Sequence, residues 1–156
     1  MILLFKQRFL SFLASYDIYN ENNEVVYTVK SKLSFGQHFD IYDASGTKVA
    51  HMERRLFTFL PKYDLFVNDE YIGCIRKEFT FFRPSFTIEC NGWYIEGSVF
   101  ERYYSIYSRD GSNVATITKK LLNLTDTYSL NIADPFNALP VLMLVLAIDG
   151  EKATRD

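Results

Sequence analysis

The sequence is poor in the residues that support disulfide, metal or nucleic-acid chemistry. Among 156 residues there are only two cysteines, two histidines and one tryptophan. Cys74 and Cys90 form neither a metal-binding motif nor a disulfide framework. The net charge is −2, from 17 basic and 19 acidic residues, and non-specific nucleic-acid binding usually needs a clearly basic domain. We therefore expect reduced thiols, an intracellular protein and no nucleic-acid partner.

Signatures of catalysis are absent as well. The chain contains no Gly-x-Ser-x-Gly, Walker A or dinucleotide-binding fingerprint. His38 and His51 stand in unrelated sequence contexts, with no third ligand at metal spacing. Asp17, Asp40 and Asp64 recur at one repeated position, which we interpret as a column of aspartates facing water. The sequence therefore predicts no enzyme activity, no metal and no cofactor.

Long apolar runs are scarce, and the one that is present lies near the end of the chain. Residues 136–148 are apolar except for Asn137. A transmembrane helix needs about 20 apolar residues, so this run is too short to span a bilayer. A helix that is apolar on every side must be enclosed by the rest of the protein. With Asp134 or Asn137 as its cap and Gly150 at its end, we predict a central helix over about 136–149, followed by a polar tail, 150–156.

The opening residues MILLFKQRFLSFLASY resemble a signal peptide only superficially. Lys6 and Arg8 interrupt the apolar run, and no small-residue cleavage site follows. We expect this stretch to belong to the fold, and the protein to be cytoplasmic or peripheral at a membrane.

A repeated hairpin accounts for the remainder of the chain. An aromatic residue is followed two positions later by Ile or Leu at Tyr16/Ile18, Phe39/Ile41, Tyr63/Leu65, Phe86/Ile88, Tyr104/Ile106 and Tyr128/Leu130. The residue between them is polar, and this alternation is typical of a half-buried strand. Four residues before each aromatic stands Phe12, Phe35, Phe59, Phe82, Phe100 or Leu124. A second strand in each unit is clearest in KVAHMERR, YIGCIRKE and NVATITKK, which align Val49, Ile72 and Val114 in one column.

The six hairpins predict twelve strands over about residues 2–133. Twelve antiparallel strands in one domain form a sandwich or close on themselves. Closure removes exposed edges, and the apolar helix needs an enclosure. We therefore predict a single domain, 1–156, that is mainly β: a closed twelve-stranded antiparallel barrel around the central C-terminal helix. A lumen filled by a helix leaves no room for a large ligand.

Three stretches give the chain a family resemblance: RRLFTFLPKYDLFVN, IRKEFTFFRPSFTIECNGWYIEG and VATITKKLLNLTDTYSLNIAD, followed by the apolar helix ending in LAID. They resemble the LURP-one-related proteins, a bacterial and plant family that is similar in fold to the tubby C-terminal domain and the phospholipid scramblases. The resemblance implies a twelve-stranded barrel around a helix, and the tubby domain is known for binding phosphoinositide head groups. Pro140 departs from the family pattern, so the helix either starts later, near Asn137, or bends there.

Basic pairs recur at aligned positions and are the candidate ligand-binding residues: Arg54, Arg55, Arg76, Lys77, Lys119 and Lys120. Neighbouring side chains of a strand point to opposite faces, so only one residue of each basic pair can lie on the same face as the cations of other hairpins. Cations from adjacent hairpins can clamp a phosphate group. Alternatively, they are solvated charges near strand ends that suppress aggregation. The function we expect is a non-enzymatic binding module of unassigned ligand, for which an anionic lipid head group or another phosphorylated ligand is the candidate.

A protein-interaction or scaffold domain is the alternative function. Tyr19, Tyr42, Phe66 and Tyr107 share a column one residue beyond the buried Ile or Leu. Because they point away from that residue, either the outer face carries an aromatic interaction patch, or the alternation slips locally at a β-bulge.

Overall fold

The computed structural model describes residues 1–7, 15–33, 37–78, 85–88, 91–98, 103–122 and 125–153. Twelve strands precede one helix. The strands are β1 (Ile2–Gln7), β2 (Ser15–Tyr19), β3 (Val25–Leu33), β4 (Gln37–Asp43), β5 (Lys48–Arg54), β6 (Lys62–Val67), β7 (Glu70–Glu78), β8 (Ser85–Ile88), β9 (Tyr94–Ser98), β10 (Tyr103–Tyr107), β11 (Asn113–Leu122) and β12 (Thr125–Ile132). A 3₁₀ turn (Pro135–Asn137) leads into α1 (Ala138–Ala153).

All twelve strands belong to one sheet, in which the first strand pairs with the last. The order is β8-β7-β6-β5-β4-β3-β2-β1-β12-β11-β10-β9. The pairings are antiparallel, so the prediction of a mainly β, antiparallel protein with a C-terminal helix is confirmed. Within the described ranges no ladder joins the end strands β8 and β9, so closure of the barrel is not confirmed. Residues 89–90, between these strands, lie outside the described part.

The repeated aromatic-x-aliphatic pattern occupies every even-numbered strand. Its aliphatic members Ile18, Ile41, Leu65, Ile106 and Leu130 have no exposed surface. Opposite them stand residues of the odd-numbered strands, such as Met52 against Leu65 and Ile117 against Leu130. The side chains of Tyr16, Phe86 and Ile88 lie outside the described part, as does the Phe/Leu column except for Phe59.

The same irregularity recurs in four hairpins. The register shifts between Ile18 and Tyr19, Ile41 and Tyr42, Leu65 and Phe66, and Ile106 and Tyr107. On the partner strand the residue skipped by the ladder is Val26, Val49, Ile72 or Val114. Each skipped residue packs against the core or belongs to it, so every shift is a β-bulge that adds one inward-facing apolar side chain. The bulges lie beside the aromatic column, but the extra residue of each bulge is on the partner strand.

Three hairpin connections share one turn geometry. They span residues 20–24, 43–47 and 108–112, and in each the fourth residue donates its N–H to the carbonyl of the first. That fourth residue has positive φ, at 62° for Asn23, 83° for Gly46 and 85° for Gly111. A left-handed conformation favours glycine and asparagine, which explains the residue types at these sites.

The central part of helix α1 is buried on all sides. Residues 141–148 are each at most 3% exposed, and successive helical residues point about 100° apart. Asp134 accepts a hydrogen bond from the backbone N–H of Phe136, which caps the 3₁₀ turn. Pro140 is the third residue of α1, where no intrahelical N–H bond is lost, so the helix starts late rather than bending. It continues beyond Gly150, where we expected it to end.

Candidate functional site

Three of the predicted ligand-binding cations lie on the inner face of the sheet. Arg54 stands opposite Tyr63, and Lys119 stands opposite Tyr128, both of which are buried core residues. Lys77 follows Ile75 by two residues and is only 6% exposed. The three occupy the same position of the repeat, two residues after Met52, Ile75 or Ile117. They form an inner layer of charge near one end of the core.

The carboxyl half of α1 reaches this same end of the sheet. The hydroxyl of Tyr128, opposite Lys119, donates a hydrogen bond to Asp149 at 3.3 Å. A helix carboxyl end carries partial negative charge, and Asp149 adds a full one. Cations on the inner face at this level therefore complement the end of the helix electrostatically, which gives Arg54, Lys77 and Lys119 a structural reason to recur.

Two other predicted cations lie on the outer face, where an additional lysine joins them. Lys62 pairs directly with Arg76, and the backbone N–H of Arg55 bonds to the carbonyl of Lys62 at 2.8 Å. Arg55, immediately after β5, therefore stands beside Lys62 of β6, which in turn stands beside Arg76 of β7. All three alternate with inward-facing residues, such as Arg54, Tyr63 and Ile75, so they belong to the outer face. We call this set the outer cation row.

Asp64 is an acidic partner of the outer cation row. The Nε of Arg55 lies 2.9 Å from both oxygens of Asp64, and its Nη2 lies 2.8 Å from Oδ1. These hydrogen bonds raise the pKa of Arg55 further above its ordinary value. The bidentate pair fixes the orientation of Arg55 beside Lys62. Lys62 itself forms no ion pair with another residue of the described ranges.

The structure does not bring all six predicted cations together. β5 and β7 flank β6, whereas β11, which carries Lys119 and Lys120, lies six strands from β5 in the sheet order. The side chain of Lys120 is outside the described part. Of the predicted set, Arg55 and Arg76 come together on the outer face, whereas Arg54 and Lys77, at the same end of these strands, face the core.

A second charged cluster surrounds Asp40 on the outer face of β4. Asp40 lies 2.9 Å from Nζ of Lys32, 2.8 Å from Nε2 of His38 and 3.1 Å from Nζ of Lys48. Its side chain is 1% exposed, so the expectation that its column faces water is wrong at this position. Burial alone would raise the pKa of Asp40, but the bonds from Lys32, His38 and Lys48 outweigh it and hold the pKa well below its usual range. Three basic side chains reach over this carboxylate and cover it.

The two histidines, distant in the sequence pattern, meet beside Asp40. The rings of His38 and His51 stack with centroids 5.7 Å apart, and Phe66 stacks on His51 at 4.3 Å. Burial, with the nearby charge of Lys48, lowers the pKa of His51. Nevertheless, no three His, Cys, Asp or Glu side chains in the described part of the chain are placed to hold a metal ion. Cys74 is buried, and Cys90 lies outside the described residues.

The aromatic column of the alternative function is half-buried. Tyr42 lies under the Nζ of Lys30, Phe66 packs against His51 and Tyr71, and Tyr107 stacks on Tyr94. Neighbouring outward-facing side chains thus cover these rings. The column is not an open aromatic patch.

Exposed aromatic surface is found instead in the connection between β5 and β6. Phe57 is 104% exposed, Phe59 is 94% exposed and Leu56 is 51% exposed. Arg55 precedes this segment and Lys62 follows it. We call residues 56–59 the apolar loop. It lies directly beside the outer cation row.

Sequence reasoning overlooked Lys62 and the apolar loop. Lys62 has no basic neighbour in the chain, and only the β6–β7 register places it beside Arg76. Phe59 was noted as a repeat position, but its exposure could not be inferred from that. The signal available was RLFTFLPK itself, an apolar segment bounded by cations and a proline.

The fold defines a class of protein: one antiparallel sheet of twelve strands packed with a mainly buried, apolar C-terminal helix. The profile of the LURP-one-related family matches residues 1–149. The chain belongs to the LURP-one-related family.

Two relatives cover nearly the whole chain. The chain is 29% identical over 152 residues to the Bacillus subtilis (strain 168) protein YxjI, described as uncharacterized, covering 96% of this chain and 93% of YxjI. A protein of Arabidopsis thaliana with an X-ray structure has a similar fold, with a TM-score of 0.62 and 17% identity, covering 96% of this chain and 91% of that one. Its similarity supports the fold alone.

None of the helices in the described ranges has the length and apolarity needed to cross a membrane.

Proposed function

We propose that the protein is a non-enzymatic module that binds anionic lipid head groups at a membrane surface. The observation that carries the proposal is the outer cation row, in which Arg55, immediately after β5, lies beside Lys62 and Arg76 of the next two strands. Cations placed side by side can contact neighbouring phosphate oxygens, and Arg55 is already oriented by Asp64. Of the six cations predicted from the sequence, this row retains Arg55 and Arg76 and adds Lys62.

The apolar loop favours a membrane over a soluble anion. A site for a free phosphate needs only charge, whereas here two fully exposed phenylalanine rings adjoin the charges. Anionic lipids concentrate on the cytoplasmic leaflet of membranes, so we place the protein in the cytoplasm, peripheral at that surface.

The proposal includes the finer fold prediction. Burial of α1 on all sides supports a sheet that wraps fully around it, with β8 and β9 meeting as in the tubby-like barrel. A closed sheet has no free edges and would hold the strands of the outer cation row in fixed relative positions.

A protein-interaction domain is the second candidate. The half-buried aromatic column does not favour it, but the exposed Phe57 and Phe59 would serve a protein partner as well as a membrane. The two candidates differ in their response to lipid charge.

Charge reversal at Lys62 tests the row. Exposed charge contacts to lipid contribute about 1 kcal/mol for each lysine. We expect Lys62→Ala to weaken binding to phosphatidylserine or phosphoinositide vesicles about fivefold, and Lys62→Glu to weaken it further, in co-sedimentation at low and physiological salt.

Lys30→Glu provides the matched control, because Lys30 is exposed on the outer face of β3, two strands away from the row at β5. It should have the smaller effect. Equal losses in Lys62→Glu and Lys30→Glu would show that general charge, and not the row, governs binding. Wild-type protein that binds no anionic vesicle would refute the proposed function.

A further inference from the structure

The apolar loop is fixed at both ends to the sheet. The N–H of Arg55 bonds to the carbonyl of Lys62 at 2.8 Å, and the N–H of Lys77 bonds to the carbonyl of Pro61 at 3.1 Å. Leu60 and Pro61 are half-buried, whereas Phe57 and Phe59 are not covered at all. The apolar loop therefore has an anchored base and an uncovered tip, which consists of Phe57 and Phe59.

The tip holds its exposed rings at a conformational cost. Phe57 has φ at 60°, a left-handed conformation that bulky side chains rarely adopt. A residue in a strained conformation normally repays the strain by packing, but Phe57 is 104% exposed. Strain without compensating contacts within the fold points to a contact outside it.

The size and shape of the tip indicate what it contacts. A stable protein interface buries about 800 Å² on each partner. Each phenylalanine ring can bury roughly 150–250 Å², so the tip alone falls short of that area. A convex tip also needs a matching pocket in a protein partner, whereas the fluid boundary of a bilayer adapts to any shape.

The charges around the base of the apolar loop also favour a bilayer as its contact. When the apolar loop is inserted in a bilayer, the outer cation row lies at the level of the lipid head groups. The negative charge of Asp64 is offset by its ion pair with Arg55, so Lys62 and Arg76 leave the row with an excess of positive charge.

We propose that the apolar loop inserts Phe57 and Phe59 into the interfacial layer of an anionic bilayer, with the outer cation row at the head groups. This inference rests on the proposed function and adds the orientation of the molecule on the membrane. In that orientation, the end of the sheet that carries the β5–β6 connection faces the lipid.

A tryptophan reporter at the tip tests insertion directly. Phe57→Trp is compared with Phe136→Trp, which replaces an equally uncovered ring, 89% exposed, in the connection to α1 at the opposite end of the strands. Wild type corrects for Trp93, which is 7% exposed. Vesicles of phosphatidylserine and phosphatidylcholine, with and without bromine on the acyl chains, serve as the probe. We expect bromolipid quenching and a blue shift of emission for Phe57→Trp but not for Phe136→Trp.

A binding measurement separates the two proposals. Replacing both tip rings, Phe57→Ser with Phe59→Ser, should weaken vesicle binding by at least about tenfold at physiological salt. Binding at low salt should persist, because the cations remain. The exposed positions of both rings make loss of the fold unexpected, and far-UV circular dichroism checks it.

Each other outcome decides a question. Vesicle binding without selective quenching at position 57 overturns insertion and leaves head-group binding standing. Absence of vesicle binding in wild type overturns both. If the wild type self-associates in sedimentation and Phe57→Ser with Phe59→Ser abolishes that self-association, the tip is instead a contact between copies of the chain.

Discussion

Asp40 is held by three basic side chains on the outer face of the sheet. Its side chain is 1% exposed, whereas those of its partners Lys32 and Lys48 are 61% and 39% exposed. The exposed partners limit the strength of each pair, because solvent screens them. The buried carboxylate nevertheless depends on them, since an unpaired buried charge is costly.

Replacing this carboxylate changes how stability depends on pH. The pKa of Asp40 is lowered in the folded state, so its contribution is complete above the unfolded pKa, near 4, and is lost as the pH falls below that value. We expect Asp40→Asn to lower the free energy of unfolding by about 1–3 kcal/mol at pH 7, with the difference from wild type shrinking below about pH 4. Urea denaturation at a series of pH values measures both.

Glu21→Gln is the control for this experiment, because Glu21 is exposed in a turn. It should leave stability nearly unchanged at every pH. A difference between Asp40→Asn and wild type that stayed constant down to pH 2 would contradict the role assigned to the ion pairs.

The N-terminal end of α1 shows how a proline can stand in an apolar helix. Pro140 is the third residue of α1, and the first four N–H groups of a helix have no intrahelical acceptor. Pro140→Ala should therefore change the free energy of unfolding by less than about 1 kcal/mol. Ala147→Pro, in the middle of α1, should cost more than about 3 kcal/mol. Thermal or urea unfolding compares the two, and a large loss in Pro140→Ala would mean that the proline fixes the start of the helix.

Strand positions could be predicted from the sequence because burial imposes a period of two. The aromatic-x-aliphatic pattern located every even-numbered strand, and the aligned Val49, Ile72 and Val114 marked a single structural position. That position is a β-bulge, which the alternation indicated only indirectly, through apolar residues that fell on both faces. Four repeats share it, so the bulge belongs to the hairpin unit.

The candidate site was predicted less completely, because contact between strands depends on register. Arg55 and Arg76 were found as cations, but Lys62 joins them only through the pairing of β6 with β7. His38 and His51 meet through the pairing of β4 with β5 and looked unrelated in the chain. Exposure of Phe57 depends on the path of a connection, which no periodic pattern describes.

The whole molecule is built around one core that α1 shares with the sheet. Buried residues of α1, of β1–β7 and of β10–β12 form a single apolar cluster that includes Trp93. Removing a central side chain should therefore weaken the helix and the sheet together. Leu144 is 1% exposed, and we expect Leu144→Ala to lower the free energy of unfolding by about 2–5 kcal/mol.

Two spectroscopic probes test whether α1 and the sheet unfold together. Trp93 fluorescence and far-UV circular dichroism should report the same unfolding midpoint in wild type and the same shift in Leu144→Ala. Leu56→Ala makes the same substitution at a 51% exposed site and should have little effect. Midpoints that separate between the two probes would indicate that α1 and the sheet unfold independently.

The pairing of β1 with β12 sets a constraint on biosynthesis. Ile2 lies opposite Asn131, and the amino group of Met1 bonds to the carbonyl of Ile132 at 3.1 Å. Ribosomes make the chain from its amino end, so β1 cannot pair with β12 until all the strands between them have been synthesised. The helix around which the sheet packs is synthesised later still. Domains that depend on such distant contacts fold slowly and expose apolar strands meanwhile. The nascent chain therefore cannot complete its fold until β12 and α1 have been synthesised.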